Sequence, residues 1–353
     1  MNSIAFIMYE RGNLYSGGYL YDEKLIEYLK SKNHHLQIIS LEDFSYLENI
    51  KHNFSKSLLE RLDCNDIDMI LQDELCHSSL FRLNQKIKDD IPIISIVHHL
   101  SYLAERDKSR SDMYRYFEKK YLKTIDGAIC TSKSTGKTVK NLVGIKNVTT
   151  AYPGKDHISN DLSSVQKKNT REEKELKILY VGNVLPHKCI DTMIEGIQNL
   201  NDVKLTIVGN TNLDKEYSKK IGTMIKKKNI ESKVDILGFV NTEVLVEKYK
   251  ENHLLMLPSK FEGFGITIIE GLKYGLPALV TKMGGPTEII REGKEGLYIE
   301  PEDPSIIESK VKQLKNDRDL IKKMSKNARK RYEELPTWED SMEKAYQFLA
   351  KIH

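Results

Sequence analysis

Cysteine is scarce in this chain of 353 residues: Cys64, Cys76, Cys130 and Cys189 are the only four. They stand far apart, with no C-x-x-C pair. This predicts neither a zinc site nor a disulfide framework and fits a reducing cytosol. A surplus of one charge is missing too. Lys and Arg number 55 against 51 Asp and Glu, and a net charge of +4 gives no bulk-charge reason to expect a nucleic-acid partner. No apolar run approaches the roughly 20 residues that cross a bilayer. The longest, Ile91–Val97, is broken by Pro92 and Ser95. The opening MNSIAFIMYERG has neither the basic start nor the apolar stretch of a signal peptide. No H-E-x-x-H or Ser-His-Asp pattern occurs. These absences predict a cytoplasmic protein with no metal and no cofactor.

What is present is a regular alternation of short β-rich runs with amphipathic segments. In the first half the runs are Ile4–Met8, Leu36–Ser40, Asp68–Leu71, Ile93–Val97, Ala128–Thr131 and Val148–Ala151. Helical patterns such as Tyr19–Lys30 and Met113–Lys123 lie between them. The runs are continuously apolar, as in parallel sheets covered on both faces. Polar Tyr152–Glu175, with Pro153 and Gly154, interrupts the rhythm and reads as a linker. The alternation then restarts with Ile178–Val181, Leu205–Val208, Val234–Leu237, Leu254–Leu257, Ala278–Thr281 and Gly296–Ile299. The fold class is therefore α/β, with two Rossmann-like, doubly wound parallel-sheet domains. Their expected limits are residues 1–153 and 154–335. Ligands of open α/β sheets bind at the carboxyl ends of the strands, so a central cleft faced by both domains is the expected site. The final segment, 336–353, reads as a helix over Trp338–Ile352 with Thr337 as its N-cap.

The densest chemical signal runs from Pro258 to Gly271. A buried strand stops at Pro258, and a helix starts near Gly265, since Ile266, Ile269 and Leu272 have helical spacing. Gly263 and Gly265 let a ligand approach the backbone, and the N–H groups of the helix start suit a phosphate. Glu262 falls in the loop and Glu270 on the second helical turn. Both are placed to accept hydrogen bonds from a ligand's hydroxyls.

The run Glu262–Glu270 resembles the E-x7-E signature of the family 4 retaining glycosyltransferases, which have the GT-B fold. Val181-Gly182-Asn183-Val184-Leu185-Pro186-His187-Lys188 is similar to that family's strand and glycine loop ending in Lys. Leu205–Gly209 is similar to its next strand and turn, and Leu237-Gly238-Phe239-Val240 to the segment lying against the nucleotide base. Gly275-Leu276-Pro277 and Gly284-Gly285-Pro286-Thr287-Glu288 follow in the family's order. Two departures stand out: Asn183 occupies the place of an Arg, and Cys189 the place of a Gly.

The resemblance implies a nucleotide diphosphate sugar donor, UDP- or GDP-linked, and a hydroxyl acceptor on a glycan, glycolipid or lipid-linked precursor. It implies that Lys188 and the helix start at Gly265, Ile266 and Thr267 hold the diphosphate, and that Glu270 holds the ribose. Glu262, Gly263 and Phe264 would meet the sugar. Gly182, Asn183, Gly209, Phe239 and Val240 would line the donor site. The N-terminal domain would bind the acceptor, and the 336–353 helix would cross back onto it. A non-catalytic GT-B subunit and a GT-B sugar-nucleotide epimerase stay open as alternatives.

In the first half, Gly17-Gly18 precedes a helix, where a phosphate or sugar approaches easily; a plain loop is the other reading. His98 closes the strand Ile93–Val97 at its carboxyl end, where the family often has a His near the donor sugar. Lys188, Glu262 and His98 are thus the expected catalytic groups. Gly136-Lys137-Thr138 is not a P-loop, because Thr131 stands where its first glycine belongs. Asp66-Ile67-Asp68 precedes a strand and reads as a turn, not a metal-binding D-x-D. Residues 106–146 carry 11 basic and 4 acidic side chains. Arg115, Lys119 and Lys123 form a stripe there, read either as a solvated face or as a peripheral contact with an anionic membrane.

Overall fold

A computed structural model describes residues 3–10, 16–62, 67–87, 91–158 and 174–352. The chain divides into two compact units, Met1–Gly154 with Pro336–His353, and Lys155–Leu335.

The first unit is built on a six-stranded parallel sheet. Its strands are β1 (Ser3–Tyr9), β2 (His35–Leu41), β3 (Met69–Asp73), β4 (Ile93–Val97), β5 (Gly127–Cys130) and β6 (Val148–Thr150). Their order is β2-β1-β3-β4-β5-β6. Successive strands are added on one side of β1 only after β2 has been laid on the other, so the chain reverses between β1 and β3. Core strands β1 and β4 bury every β-branched and aromatic side chain they carry.

Helix Trp338–Ile352 belongs to this unit. Thr337 Oγ1 accepts the Asp340 amide at 3.1 Å and so caps it. The Trp338 ring meets Tyr21 edge-on at 5.8 Å. Gly127 leaves room for the far end: a Cβ there would lie 2.7 Å from Ile352 Cδ1 and 3.1 Å from Phe348 Cζ.

The second unit holds β7 (Leu176–Val181), β8 (Val203–Val208), β9 (Val234–Gly238), β10 (Leu254–Leu257), β11 (Ala278–Thr281) and β12 (Gly296–Ile299). The order β12-β11-β10-β7-β8-β9 is that of a dinucleotide-binding sheet, with its switch point between β7 and β10. The crevice outside the carboxyl ends of β7 and β10 is where such a sheet binds ligands. The loops Gly182–Lys188 and Pro258–Gly265 both start there.

The structure corrects several sequence readings. Helix Lys108–Leu122 starts five residues before the expected Met113, because Asp107 accepts the Arg110 amide at 2.8 Å and caps a charged first turn. Strand β3 runs on through Gln72 and Asp73, which are buried polar residues and not part of an apolar run. Gln72 is accommodated by a paired amide exchange with Asn84, at 2.8 and 2.9 Å. Strand β9 is not covered on both faces: it is the edge strand, and Ile236 and Leu237 are exposed. Gly136 lies inside helix Lys133–Val143, so no phosphate nest forms around it. Asp68 accepts the Ser3 amide at the entry of β1, far from the carboxyl ends, while Asp66 lies outside the described residues. The linker reading over 159–173 also lies outside them. Among the described residues, no helix is long and apolar enough to cross a membrane.

Candidate active site

In the second unit, three neighbouring strands end on glycine. Gly182 follows β7, Gly209 follows β8 and Gly238 ends β9. The Gly209 amide donates to the Gly238 carbonyl at 2.9 Å. A Cβ on Gly209 would lie 1.9 Å from the Gly182 carbonyl oxygen, so the two turns stack backbone on backbone. The result is a shallow floor without side chains, with Phe239 exposed at its rim. Asn183, where the family resemblance leads one to expect Arg, has its carbonyl held by the Tyr180 hydroxyl at 3.0 Å.

Lys188 ends the single 3-10 turn Pro186–Lys188. It stands outside the following α-helix, because Cys189 adopts φ 53 between it and helix Ile190–Ile197. A left-handed residue at this junction explains why glycine suits it. The turn aims Lys188 Nζ at Glu262 Oε2, 2.7 Å away, and the Ser259 hydroxyl donates to the same oxygen at 3.1 Å. Both charged side chains are partly sheltered, at 19% and 17% exposure. The two loops are tied together where the Lys260 amide donates to the His187 carbonyl at 2.8 Å.

Glu262 is fixed through its backbone by the loop after β11. Its amide donates to Met283 O at 3.2 Å, and its carbonyl accepts the Gly285 amide at 2.9 Å. Gly284 and Gly285 are required for this approach. A Cβ on Gly284 would lie 2.0 Å from the Glu262 carbonyl oxygen, and one on Gly285 would lie 2.5 Å from that of Gly263. Gly265, at φ 100, then caps helix Ile266–Lys273. Its first-turn amides, which include those of half-buried Ile266 and Thr267, face the Gly263–Gly265 turn.

Glu270 stands on the second turn of that helix. His157 Nε2 lies 2.6 Å from its Oε1, and the Tyr249 hydroxyl donates to Oε2. Tyr249 is buried and stacks on Tyr274 with ring centroids 5.6 Å apart. Burial first, then the adjacent Glu270 carboxylate, raises its phenol well above the usual range, so it acts as a donor. Sequence reading missed Ser259, His157 and Tyr249.

In the first unit, Gly17 and Gly18 open helix Gly17–Ser31, capped by Ser16. A Cβ on Gly18 would come 3.1 Å from His98 Cδ2. His98 is buried at the carboxyl end of β4, with Nε2 3.0 Å from Asp22 Oδ1 and 3.9 Å from Asp73 Oδ1. Burial alone would lower its pKa, but the carboxylates of Asp22, Asp73 and Glu74 raise it to about 9. Beside it, Glu74, His77 and Glu118 form a second buried cluster. Burial foremost, then the Asp73 charge for Glu74 and the Glu74 charge for Glu118, raises both glutamates to about 8. In each cluster three ligand-type atoms lie within 4.8 Å of one another. The imidazoles make the following contacts. His98 faces Asp22, and His77 binds the Glu74 carbonyl and the Tyr46 hydroxyl at 3.0 and 2.8 Å. Glu118 accepts the Ser101 and Tyr102 amides. Asp22, Asp73, Glu74 and Glu118 were not singled out from the sequence. Asp73 was within reach of the rule that found His98, since it closes β3 at the same end of the sheet.

The comparisons with known proteins agree with this geometry. Residues 163–331 match the family described as glycosyl transferases group 1. An uncharacterized glycosyltransferase of Methanocaldococcus jannaschii is 28% identical over 72% of this chain and 67% of its own length. The N-acetyl-alpha-D-glucosaminyl L-malate synthase of Bacillus anthracis is 23% identical over 76% of this chain and 70% of its own. Among solved structures, sucrose-phosphate synthase from Thermosynechococcus elongatus superposes with a TM-score of 0.84 at 17% identity, covering 100% of this chain and 99% of that one. The two six-stranded parallel sheets and the solved structures that superpose on them give the chain the GT-B fold, and residues 163–331, a little under half of it, are similar to the group 1 glycosyl transferases.

Proposed function

We propose that the protein moves a sugar from a nucleotide diphosphate sugar to a hydroxyl acceptor, retaining the anomeric configuration and using no metal ion. The observation that carries this reading is the Lys188–Glu262 pair at the β7/β10 switch point, beside a glycine-capped helix start. A departing nucleotide diphosphate needs charge stabilisation. Lys188 Nζ and the first-turn amides after Gly265 supply it as groups already in place before the reaction. Glu262 turns its carboxylate toward the sugar as positive charge builds at the anomeric carbon. Glu270, with two donors already on it, receives the ribose hydroxyls. Gly182, Asn183 and Gly209 form the floor for the nucleotide, with Phe239 and Val240 against the base. Retention then follows from attack and departure on one face of the sugar, the leaving phosphate oxygen taking the acceptor's proton.

A UDP-sugar or a GDP-sugar is the favoured donor. The solved structure of Anabaena HepE in complex with UDP-glucose shares the fold, with a TM-score of 0.76 over 99% of both chains. A thermal-shift panel of UDP, GDP, ADP and CDP with their common sugars tests the class of donor. A ligand at 100 times its Kd adds about 2.7 kcal/mol of stability, a shift of a few degrees. Glu270→Ala is expected to weaken the best ligand roughly tenfold or more, since hydrogen bonds to a charged group are worth about 1.5–3 kcal/mol. Turnover is expected to survive EDTA. Complete loss restored by magnesium, or no shift with any nucleotide, overturns the proposal.

The acceptor is read as a sugar or a lipid-linked precursor at a membrane surface. Arg115 and Lys119 are exposed on helix Lys108–Leu122, and Lys123 follows it. Glu118, which would offset them, is buried instead. At low salt the protein is expected to bind phosphatidylglycerol vesicles, each such cation contributing about 1 kcal/mol. A triple Glu variant that partitions equally returns the stripe to a solvated face.

A further inference from the structure

His98 is surrounded by acid. Helix Gly17–Ser31 brings Asp22, the carboxyl end of β3 brings Asp73, and the turn after it brings Glu74. Tyr21 adds only a ring edge, 5.5 Å from the imidazole centroid. No lysine or arginine is recorded against the ring among the described residues. One ring nitrogen, Nε2, is spent on Asp22 at 3.0 Å. The other, Nδ1, is shut off from solvent and has no hydrogen-bond partner among the described residues. Oδ2 of Asp22 and of Asp73 is likewise unmatched. A buried donor left without an acceptor costs about 1–3 kcal/mol. Gly18 packs against the ring face, so no side chain from the helix start fills that space.

We propose that Asp22, supported by Asp73, is a positioning residue that keeps His98 a cation and turns its Nδ1–H toward an oxygen of the sugar substrate. The proposal rests on the reading that the first unit receives substrate. It goes beyond that reading by assigning the charge and orientation of the imidazole to Asp22. The carboxylate faces Nε2, so the positive ring is held without being neutralised by proton transfer. The remaining N–H is then a charge-assisted donor, stronger than that of a neutral imidazole. A phosphate oxygen or a sugar hydroxyl is the acceptor it lacks.

Two measurements test this. Histidine-labelled protein, with the His98 resonance identified by its loss in His98→Gln, is titrated by NMR without any substrate. His98 is expected to stay protonated through pH 7 and to release its proton near pH 9. In Asp22→Asn the midpoint is expected to fall by about two pH units or more, toward or below the ordinary histidine value of about 6.5. Turnover of UDP-glucose and of GDP-mannose is then followed against pH. The wild-type rate is expected to decline only near pH 9, and that of Asp22→Asn to be at least tenfold lower at pH 8 but closer to wild type at pH 6. Asp73→Asn is the second variant should Asp22→Asn fold poorly, and a smaller shift in the same direction is expected. A wild-type midpoint at or below 6.5 overturns the proposal, as does a variant whose midpoint and pH profile match wild type. Failure of the functional reading looks different: no nucleotide sugar is turned over at any pH, while the NMR titration still decides the state of His98.

Discussion

Lys188→Ala is expected to lower nucleotide-sugar turnover by about 10²–10³-fold, the usual consequence of removing one preorganised donor from a site of developing negative charge. The ion pair with Glu262 raises the question of which partner matters. At 2.7 Å and partly sheltered, the pair stabilises the empty loop modestly. A diphosphate brings more negative charge to Lys188 than one carboxylate does. At about 4 Å and an effective dielectric near 20, each charge pair is worth about 4 kcal/mol before desolvation. On the proposed function the ammonium would exchange Glu262 for the donor, which would free Glu262 to face the sugar. Lys188→Ala also removes the ammonium from a Glu262 carboxylate that still accepts from the Ser259 hydroxyl, so a double variant separates the effects. Lys188→Ala with Glu262→Gln should bind UDP as weakly as Lys188→Ala alone, measured by calorimetry. Should the double variant recover wild-type affinity, the lysine served only to neutralise the glutamate. A loss of less than threefold in the single variant removes Lys188 from the reaction.

The first unit is expected to lose stability as pH rises from 6 to 9. Its buried acids bind protons more tightly folded than unfolded. Burial foremost, then the Asp22 charge, raises Asp73 to about 7, and burial with neighbouring carboxylates raises Glu74 and Glu118 to about 8. Unfolded carboxyls titrate near 4, so the folded state holds extra protons across the interval between. A group whose folded pKa is raised contributes stability that is complete below its unfolded pKa and is lost as pH climbs through the folded value. The slope is about 1.4 kcal/mol per pH unit for each group inside its window. His98 adds to the same trend, its contribution complete below about 6.5 and lost toward 9. A fall in Tm of roughly 5 °C or more between pH 6 and 9 is expected for this unit. Glu118→Gln imitates the protonated acid: its carbonyl accepts the Ser101 amide, and its amide donates to Glu74. This variant is expected to flatten the decline and to be the more stable protein at pH 9. A Tm that is constant or rising over that range, or a Glu118→Gln decline as steep as wild type, contradicts the account of buried protonated acids.

Strand positions were legible because the buried β runs are short, apolar and bounded by Pro, Gly or polar residues. The Glu262–Glu270 turn was legible for a related reason: Pro258, Gly263 and Gly265 mark the end of a strand and the start of a helix within eight residues. What spacing does not carry is the identity of partners brought together by the fold. Lys188 and Glu262 meet across 74 positions, and His157 and Glu270 across 113. Tyr249 gave no local signal, since its hydroxyl is useful only because Tyr274 stacks beneath its ring. The buried acids escaped for a different reason. A strand judged by apolar continuity ends at Leu71, yet β3 continues through Gln72 and Asp73 because amide pairing and a nearby imidazolium offset their burial. Glu118 looked like one charge on a basic helix until its carboxylate was found under the Ser101 turn.

The helix Trp338–Ile352 completes a unit whose other residues are made more than 180 positions earlier. On a ribosome the strands β1–β6 emerge first, but Tyr21 and Gly127 still lack their covering side chains. All of Lys155–Leu335 is synthesised next, and that unit can close its own sheet while the older one waits. The part encoded second can therefore finish first, and the part encoded first is sealed only once helix Trp338–Ile352 has been made. A chain cut just before Trp338 would keep the second sheet whole and leave the first without the side chains that cover Gly127 and Tyr21.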